Sequence, residues 1–163
     1  MKTALYVATV ARTYRRAIDD WFESEELYNN NLPWYRSEIG KCTYRQFTTG
    51  FYFGDPKESA QIYDNSTYVV ESVFLGTVEA VTDDGRIKLT QKNKFCVGDM
   101  IEIMKPDGSD ISVSVSRIES EDGICQESAN HACQVIYVTL DNGQGTRCEA
   151  GDILRTDAGR EKK

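Results

Sequence analysis

The feature that most constrains the fold of this 163-residue chain is a short phrase that occurs twice. Residues 95–101 read FCVGDMI, and residues 147–153 read RCEAGDI, so each copy places a Gly-Asp pair before an apolar strand. Glycine tolerates the backbone conformation of a tight corner, and aspartate accepts hydrogen bonds from nearby backbone amides. A duplicated corner that leads into short strands predicts a small closed β-barrel with approximate internal symmetry.

The residue pattern after position 66 predicts the strands of that barrel. Apolar and polar side chains alternate with a period of two, and turn residues separate the segments. Asp83, Asp84 and Gly85 lie between the first two segments and are typical of a hairpin. The predicted fold is mainly β, with a six-stranded closed β-barrel over residues 67–156 and a frayed tail over residues 157–163. The predicted strands are residues 73–81, residues 86–92, the stretch from Asp99 to Pro106, the stretch from Ile111 to Asp122, residues 135–140 and residues 153–154.

A different pattern in the first part of the chain predicts a helical extension. Residues 3–23 contain no Gly or Pro, and their apolar side chains recur at three-to-four spacing, which is typical of a helix. We expect Asn31 to cap a second helix that has Pro33 in its first turn and ends near Gly40. Residues 1–66 are therefore predicted to form a helical extension and a linker.

Charge is unevenly distributed along the chain. The net charge is −7, but residues 1–50 hold seven Lys/Arg and six Asp/Glu, and the remainder has a net charge of −8. Because an acidic field repels polyphosphate, RNA binding would have to be local and would most easily use the first half. A solvated helix face is the other interpretation of these charges. The candidate binding cations are Arg12, Arg15, Arg16, Lys41 and Arg45.

The cysteine and histidine content offers little catalytic chemistry. Five cysteines occur without a Cys-x-x-Cys pair, so we expect no disulfide framework and a reducing, cytoplasmic environment. The one histidine, His131, lies between Cys125 and Cys133, a pattern that could supply metal ligands or a Cys–His nucleophile pair. We favour a loop histidine beside two small apolar cysteines, because neither a fourth ligand nor an oxyanion hole accompanies the pattern. We assign no catalytic and no metal-binding residue, and we keep His131 as a candidate binding residue.

Several segments resemble the collagenase-like peptidase family U32, in the order that this family has them. They are residues 6–10 (YVATV) with residues 14–19 (YRRAID), residues 45–54 (RQFTTGFYFG), residues 91–95 (QKNKF) with Gly98-Asp99, and His131 with residues 152–155 (DILR). The resemblance implies that residues 3–23 form the last helix of the family's main domain. It also implies that the strands form the family's C-terminal domain, which is similar to the second-domain barrel of translation elongation factors. One departure is Ala132, where the family commonly has proline.

The resemblance further implies that the chemistry of such a protein lies outside this chain. In the family, a TIM-like barrel precedes this region and holds the cysteines proposed to bind an iron–sulfur cluster. None of the five cysteines here matches them. We expect a non-catalytic C-terminal domain that has no cofactor of its own. Its expected partners are the N-terminal catalytic barrel of the same protein and a macromolecular substrate, RNA or polypeptide, since other family members are implicated in hydroxylating RNA bases.

Two alternative interpretations stay open. The chain could be a peptidase that acts by itself through the His131 loop, which would require a nucleophile and a base in one cleft. It could also be a structural module that forms a homodimer through an exposed apolar surface. The apolar stripe of the first helix needs a partner, so we expect either self-association or packing on the strands or on the aromatic linker at residues 51–53, and no membrane partner. The members of that stripe are Leu5, Ala8, Ile18, Trp21 and Phe22.

Overall fold

The computed structural model describes residues 2–42, 50–55, 71–141 and 147–157. Within them the chain begins with two helices and continues as nine strands, which confirms the predicted mainly β class with an N-terminal helical part. The helices are α1 (Ala4–Glu23) and α2 (Glu25–Gly40). The strands are β1 (Ser72–Val81), β2 (Ile87–Thr90), β3 (Phe95–Cys96), β4 (Met100–Met104), β5 (Ile111–Ser120), β6 (Cys125–Gln126), β7 (Ser128–Ala129), β8 (Val135–Leu140) and β9 (Ile153–Asp157).

The two helices follow each other almost without interruption. Helix α1 begins where predicted, because the Thr3 hydroxyl accepts a hydrogen bond from the amide three residues later. The predicted cap of α2 at Asn31 was wrong. Ser24 caps α2 in the same way, and the two glutamates after it complement the positive end of the helix dipole. Pro33 therefore lies inside the helix, where it costs one backbone hydrogen bond. Neither described helix is long and apolar enough to span a bilayer.

Six of the nine strands form a closed ring of antiparallel pairs. The order around the ring is β4-β9-β1-β2-β8-β5, and β5 pairs back onto β4. These are the six strands that the alternation predicted. The other three strands, β3, β6 and β7, have two residues each, and two residues cannot display a period. The predicted hairpin joins β1 to β2, with Gly85 at a φ of 81°.

The two Gly-Asp corners have the same internal structure. In each, the aspartate carboxylate accepts a hydrogen bond from the backbone amide three residues earlier: Asp99 accepts from Cys96, and Asp152 accepts from Glu149. The glycine before the aspartate has a φ of 86° in the first corner and 100° in the second. This is the left-handed region that favours glycine, which explains why the Gly-Asp pair occurs in both copies.

Each corner is also bonded to a long strand in the same way. In the first corner the glycine amide donates to the Val115 carbonyl at 2.7 Å, and the Val115 amide donates back to the Asp99 carbonyl at 3.0 Å. In the second corner Val78 makes the equivalent pair of bonds with Gly151 and Asp152, at 2.9 and 2.8 Å. β5 and β1 therefore have equivalent positions, as do β4 and β9. The sequence repeat thus corresponds to an approximate two-fold repetition in the ring of strands.

The inner side chains of the ring form the main hydrophobic core. A second, smaller cluster joins α1 to the ring, where Leu5 packs with Met104 and Ile153, and Ala8 lies against them. The start of the apolar stripe on α1 therefore packs on the strands. The fully buried aliphatic residues of the main core are Leu75, Ile87, Leu89, Ile103, Ile118, Ile136, Val138 and Leu154.

Candidate functional site

Two of the predicted binding cations, Arg12 and Lys41, belong to a cluster of charged side chains between the helices and the ring. Arg12 is only 7 % exposed, so its charge faces protein carboxylates and not solvent. Three cations and three carboxylates make up this group, which we call the charge cluster. Its members are Arg12, Glu38, Lys41, Glu102, Asp110 and Arg155.

Arg155 lies at the centre of the charge cluster and is fully buried. It donates hydrogen bonds to Glu38 at 2.6 Å, to Glu102 at 2.7 Å and to Asp110 at 3.1 Å. Arg12 of α1 also donates to Glu38 and Asp110. Charge-assisted bonds of this kind are among the stronger hydrogen bonds in proteins. Arg12 belongs to α1, and the carboxylates come from α2, β4 and the segment before β5. The cluster therefore fixes both helices on the ring.

The positive charges of the cluster keep two of its carboxylates, Glu38 and Glu102, ionised. Burial opposes the ionisation of Glu38, but the hydrogen bond from Arg155 and the positive charges around it outweigh burial. The pKa of Glu38 therefore falls from 4.5 to about 2. Burial likewise opposes the ionisation of Glu102, and Arg155 and Lys41 reverse that effect and lower its pKa. Glu38 and Glu102 are thus both ionised at neutral pH.

The next two candidates, Arg15 and Arg16, lie on α1 and each has a carboxylate partner one turn later. Arg15 is exposed and donates to Asp19 through its Nε at 2.8 Å. The Nε of Arg16 lies 3.7 Å from Asp20, and its guanidinium lies 4.4 Å from the centre of an α2 indole ring. Arg45 lies outside the described residues. Of the four described cations, Arg12 and Lys41 therefore meet in the charge cluster, and Arg15 and Arg16 lie outside it.

His131 lies exposed in the loop after β7. Two hydrogen bonds join that loop to Gln91. The buried Gln91 side chain donates to the Ala129 carbonyl, and the Gln91 backbone carbonyl accepts from the Cys133 amide at 2.8 Å. Cys125 and Cys133 are also exposed, as free cysteines. In the described part of the chain, no group of three or more His, Cys, Asp or Glu side chains could hold a metal ion.

Sequence reasoning missed the cations that have no partner among the described residues. Among the described residues, the charged groups of Arg36, Lys88, Lys92 and Lys94 make no ion pair, hydrogen bond or ring contact. Arg36 is isolated on α2, whereas the three lysines belong to β2 and the loop after it. The sequence did indicate two of these lysines. In the predicted strand over residues 86–92, apolar and polar side chains alternate, and Lys88 and Lys92 take the positions that face away from the core.

The side of α1 opposite the charge cluster is apolar. Val7, Tyr14, Ile18 and Trp21 recur at helical spacing and are 46–63 % exposed, and Phe22 is 83 % exposed. We call these five residues the apolar face of α1. A groove of about 330 Å³ between α1 and α2 adjoins it. The described residues of α1 thus present an apolar face to solvent.

These observations first define a class: a mainly β domain on which two helices are fixed by buried ion pairs, with an exposed apolar face on the first helix. The comparisons then identify the family. The family model "Peptidase family U32 C-terminal domain" matches residues 71–155, and the model "Peptidase family U32" matches residues 1–62. The chain therefore belongs to peptidase family U32, as its motifs indicated.

Two proteins that are similar in sequence extend this comparison. The tRNA hydroxylation protein P1 of Bacillus subtilis (strain 168) is 30 % identical over 142 residues, which are 86 % of this chain and 33 % of that protein. The tRNA hydroxylation protein P of Escherichia coli (strain K12) is 28 % identical over 123 residues, which are 75 % of this chain and 26 % of that protein. The chain thus spans a third or less of the length of these relatives.

A solved structure is also similar. It is the C-terminal domain of a Geobacillus thermoleovorans protein described as a U32 peptidase, which is 22 % identical in sequence. The similarity covers 52 % of this chain and 99 % of that chain, with a TM-score of 0.45.

Proposed function

We propose that this chain is the non-catalytic C-terminal part of a U32-family protein and that it positions an RNA substrate for the catalytic barrel of the same protein. The observation that carries the proposal is the match over 142 residues to a protein named for tRNA hydroxylation. The unpaired lysines support it, because on a chain of net charge −7 only local free cations can bind a polyphosphate. The alternative is a polypeptide substrate, and the RNA titration described below distinguishes the two by using gelatin as a competitor.

The chemistry belongs to the rest of the protein in this proposal. We place an iron–sulfur cluster in the catalytic barrel and no cofactor in this chain, as the family resemblance implies. The protein would act in the cytoplasm, where transfer RNA is found. His131 then has a binding role and not a catalytic one.

The apolar face of α1 is the surface through which the chain would pack against the catalytic barrel. The family model for the main part of U32 proteins matches residues 1–62, which include both helices. The buried side of α1 is held on the strands by Leu5 and the charge cluster, so its opposite side is free to pack on another domain. The helical pair would thus join the catalytic barrel to the RNA-positioning strands.

The finer description of the strand half is also a proposal. We describe the closed ring of six strands as a small β-barrel of the kind found in the second domain of translation elongation factors. The two equivalent Gly-Asp corners support this description, because they repeat the same strand arrangement twice around one core.

The first test is a titration with RNA. The chain should bind an unmodified transfer RNA transcript weakly, with an affinity that falls about 20- to 40-fold between about 0.05 and 0.2 M salt if three phosphates are neutralised. Fluorescence anisotropy of a labelled transcript measures this, with gelatin as a competing polypeptide. Gelatin that displaces the RNA, or an affinity independent of salt, would contradict the proposal.

The second test concerns the apolar face of α1. Without the catalytic barrel, this face should drive self-association, since burial of apolar surface contributes roughly 25 cal/mol per Å². Sedimentation at high micromolar concentration should show dimers or larger species for the chain and monomers for a variant with Ile18→Lys and Trp21→Lys. The matched control carries Val97→Lys and Ile124→Lys, which change exposed apolar residues elsewhere and should leave association intact. A monomeric unmodified chain would count against this surface.

A further inference from the structure

Three cations for which the described part of the chain offers no partner lie on one stretch of the strand half, in β2 and the loop after it. We propose that Lys88, Lys92 and Lys94, which we call the lysine surface, bind the phosphate backbone of the RNA substrate. This inference rests on the proposed function and deepens it by naming the contact surface. The RNA contact surface would then lie in the strand half of the chain. The charge distribution of the sequence had instead favoured the first half of the chain, which holds the helices.

The alternation of β2 directs the first of these lysines away from the core. Ile87 and Leu89 are fully buried, whereas Lys88 between them is only partly covered. At about 3.3 Å per residue, the backbone from Lys88 to Lys92 extends up to about 13 Å. Lys92 and Lys94 are exposed. Two charges spread over such a length, with a third two residues further on, fit an extended polyanion better than a single phosphate group.

Among the described residues, the carboxylates on the neighbouring strands form no ion pair with the lysine surface. Glu79 of β1 accepts a hydrogen bond from Thr90. Glu119, which β8 separates from β2, pairs with Arg117 at 2.9 Å and with Arg86 at 3.5 Å. Within the described ranges no carboxylate pairs with any of the three lysines, so their charge is available to a ligand.

The backbone under the lysine surface is held from both sides. Gln91 donates its amide to the Gln134 carbonyl at 2.9 Å and accepts from the Cys133 amide at 2.8 Å. On the other side the Lys92 amide donates to Leu75 at 2.8 Å, and the Asn93 side chain donates to the adjacent Phe74 carbonyl at 2.7 Å. A pre-ordered backbone loses less conformational entropy on binding than a mobile loop does.

The same hydrogen bonds bring a second candidate to this surface. His131 lies between Ala129 and Cys133, and both of these residues bond to Gln91. Its exposed imidazole is therefore presented by a loop tied directly to the base of the lysine surface. An imidazole can donate a hydrogen bond to a phosphate oxygen or sugar, as neutral side chains commonly do in nucleic-acid complexes.

Charge-matched variants of the full chain test this assignment. The first carries Lys88→Gln, Lys92→Gln and Lys94→Gln. The control carries Lys2→Gln, Arg15→Gln and Arg36→Gln, which remove the same charge from exposed positions near and on the helices. Titration with a labelled transfer RNA transcript gives the dissociation constant and its salt dependence, and thermal unfolding checks that both variants are folded.

The lysine variant should raise the dissociation constant about tenfold or more at about 0.05 M salt and make the log–log salt slope shallower by about three. The control should stay within about twofold of the unmodified chain, since it removes no phosphate contact. Equal weakening by both variants, or weakening by the control alone, would overturn the lysine surface while leaving RNA binding intact. No RNA binding by the unmodified chain would overturn the proposed function together with this inference.

Discussion

Replacing Arg155 by methionine should lower the free energy of unfolding by about 3–5 kcal/mol, because it leaves buried carboxylates without their central cation. Arg155 is fully buried and bonds to Glu38, Glu102 and Asp110. Methionine has a comparable unbranched shape, so the loss reports chiefly on charge and hydrogen bonding. Urea unfolding at neutral pH, followed by circular dichroism, measures the change.

The matched control for Arg155 is Arg117, an exposed arginine of β5 that pairs with Glu119 at 2.9 Å. Arg117→Met should cost about 1 kcal/mol or less, as exposed ion pairs do. A double variant with Arg155→Met and Glu38→Gln should be less destabilised than the sum of the two single variants, since each removes a charge that the other leaves unpaired. If Arg155→Met costs no more than Arg117→Met, the charge cluster does not fix the helices on the ring.

Acid should weaken the fold as Glu38 takes up a proton. Its pKa is 4.5 as an ordinary glutamate and about 2 in the folded chain, so the unfolded state binds the proton first as pH falls. The stabilisation is complete above about pH 5 and is lost as pH falls from about 4.5 through about 2. A shift of this size corresponds to about 3 kcal/mol. The lowered pKa of Glu102 adds a loss in the same direction.

Unfolding curves between neutral pH and pH 2.5 test this linkage. Glu38→Gln cannot be protonated in this range, so it should be less stable than the unmodified chain at pH 7 and approach it in strong acid. Glu121→Gln, an exposed change in the turn after β5, should follow the unmodified curve. A constant difference between Glu38→Gln and the unmodified chain at every pH would contradict the lowered pKa.

Local signals in the sequence predicted most of the fold. The first helix, the hairpin at Gly85 and the six ring strands depend on spacing and turn residues that lie close together in the chain. The start of α2 was missed because Pro33 suggested a first turn, whereas Ser24 with two following glutamates is the stronger capping signal. The proposed division of the chain at residue 66 stays a prediction.

The site was harder to predict because its contacts are distant in sequence. Arg12 meets Asp110, 98 residues away, and Glu38 meets Arg155, 117 residues away. A count of charges along the chain cannot distinguish a cation buried in such pairs from a free one. The same count overlooked Lys88, Lys92 and Lys94, because it averaged them with the many acids of the strand half.

Amide hydrogen exchange of the full chain, with and without a transfer RNA transcript, is the most direct test of the proposal. It shows whether RNA binds to the strands while the apolar face of α1 is left for another domain. The account predicts added protection in residues 88–94 and in the His131 loop, with little change along the apolar face of α1. Protection confined to α1, or no change anywhere at saturating RNA, would contradict it.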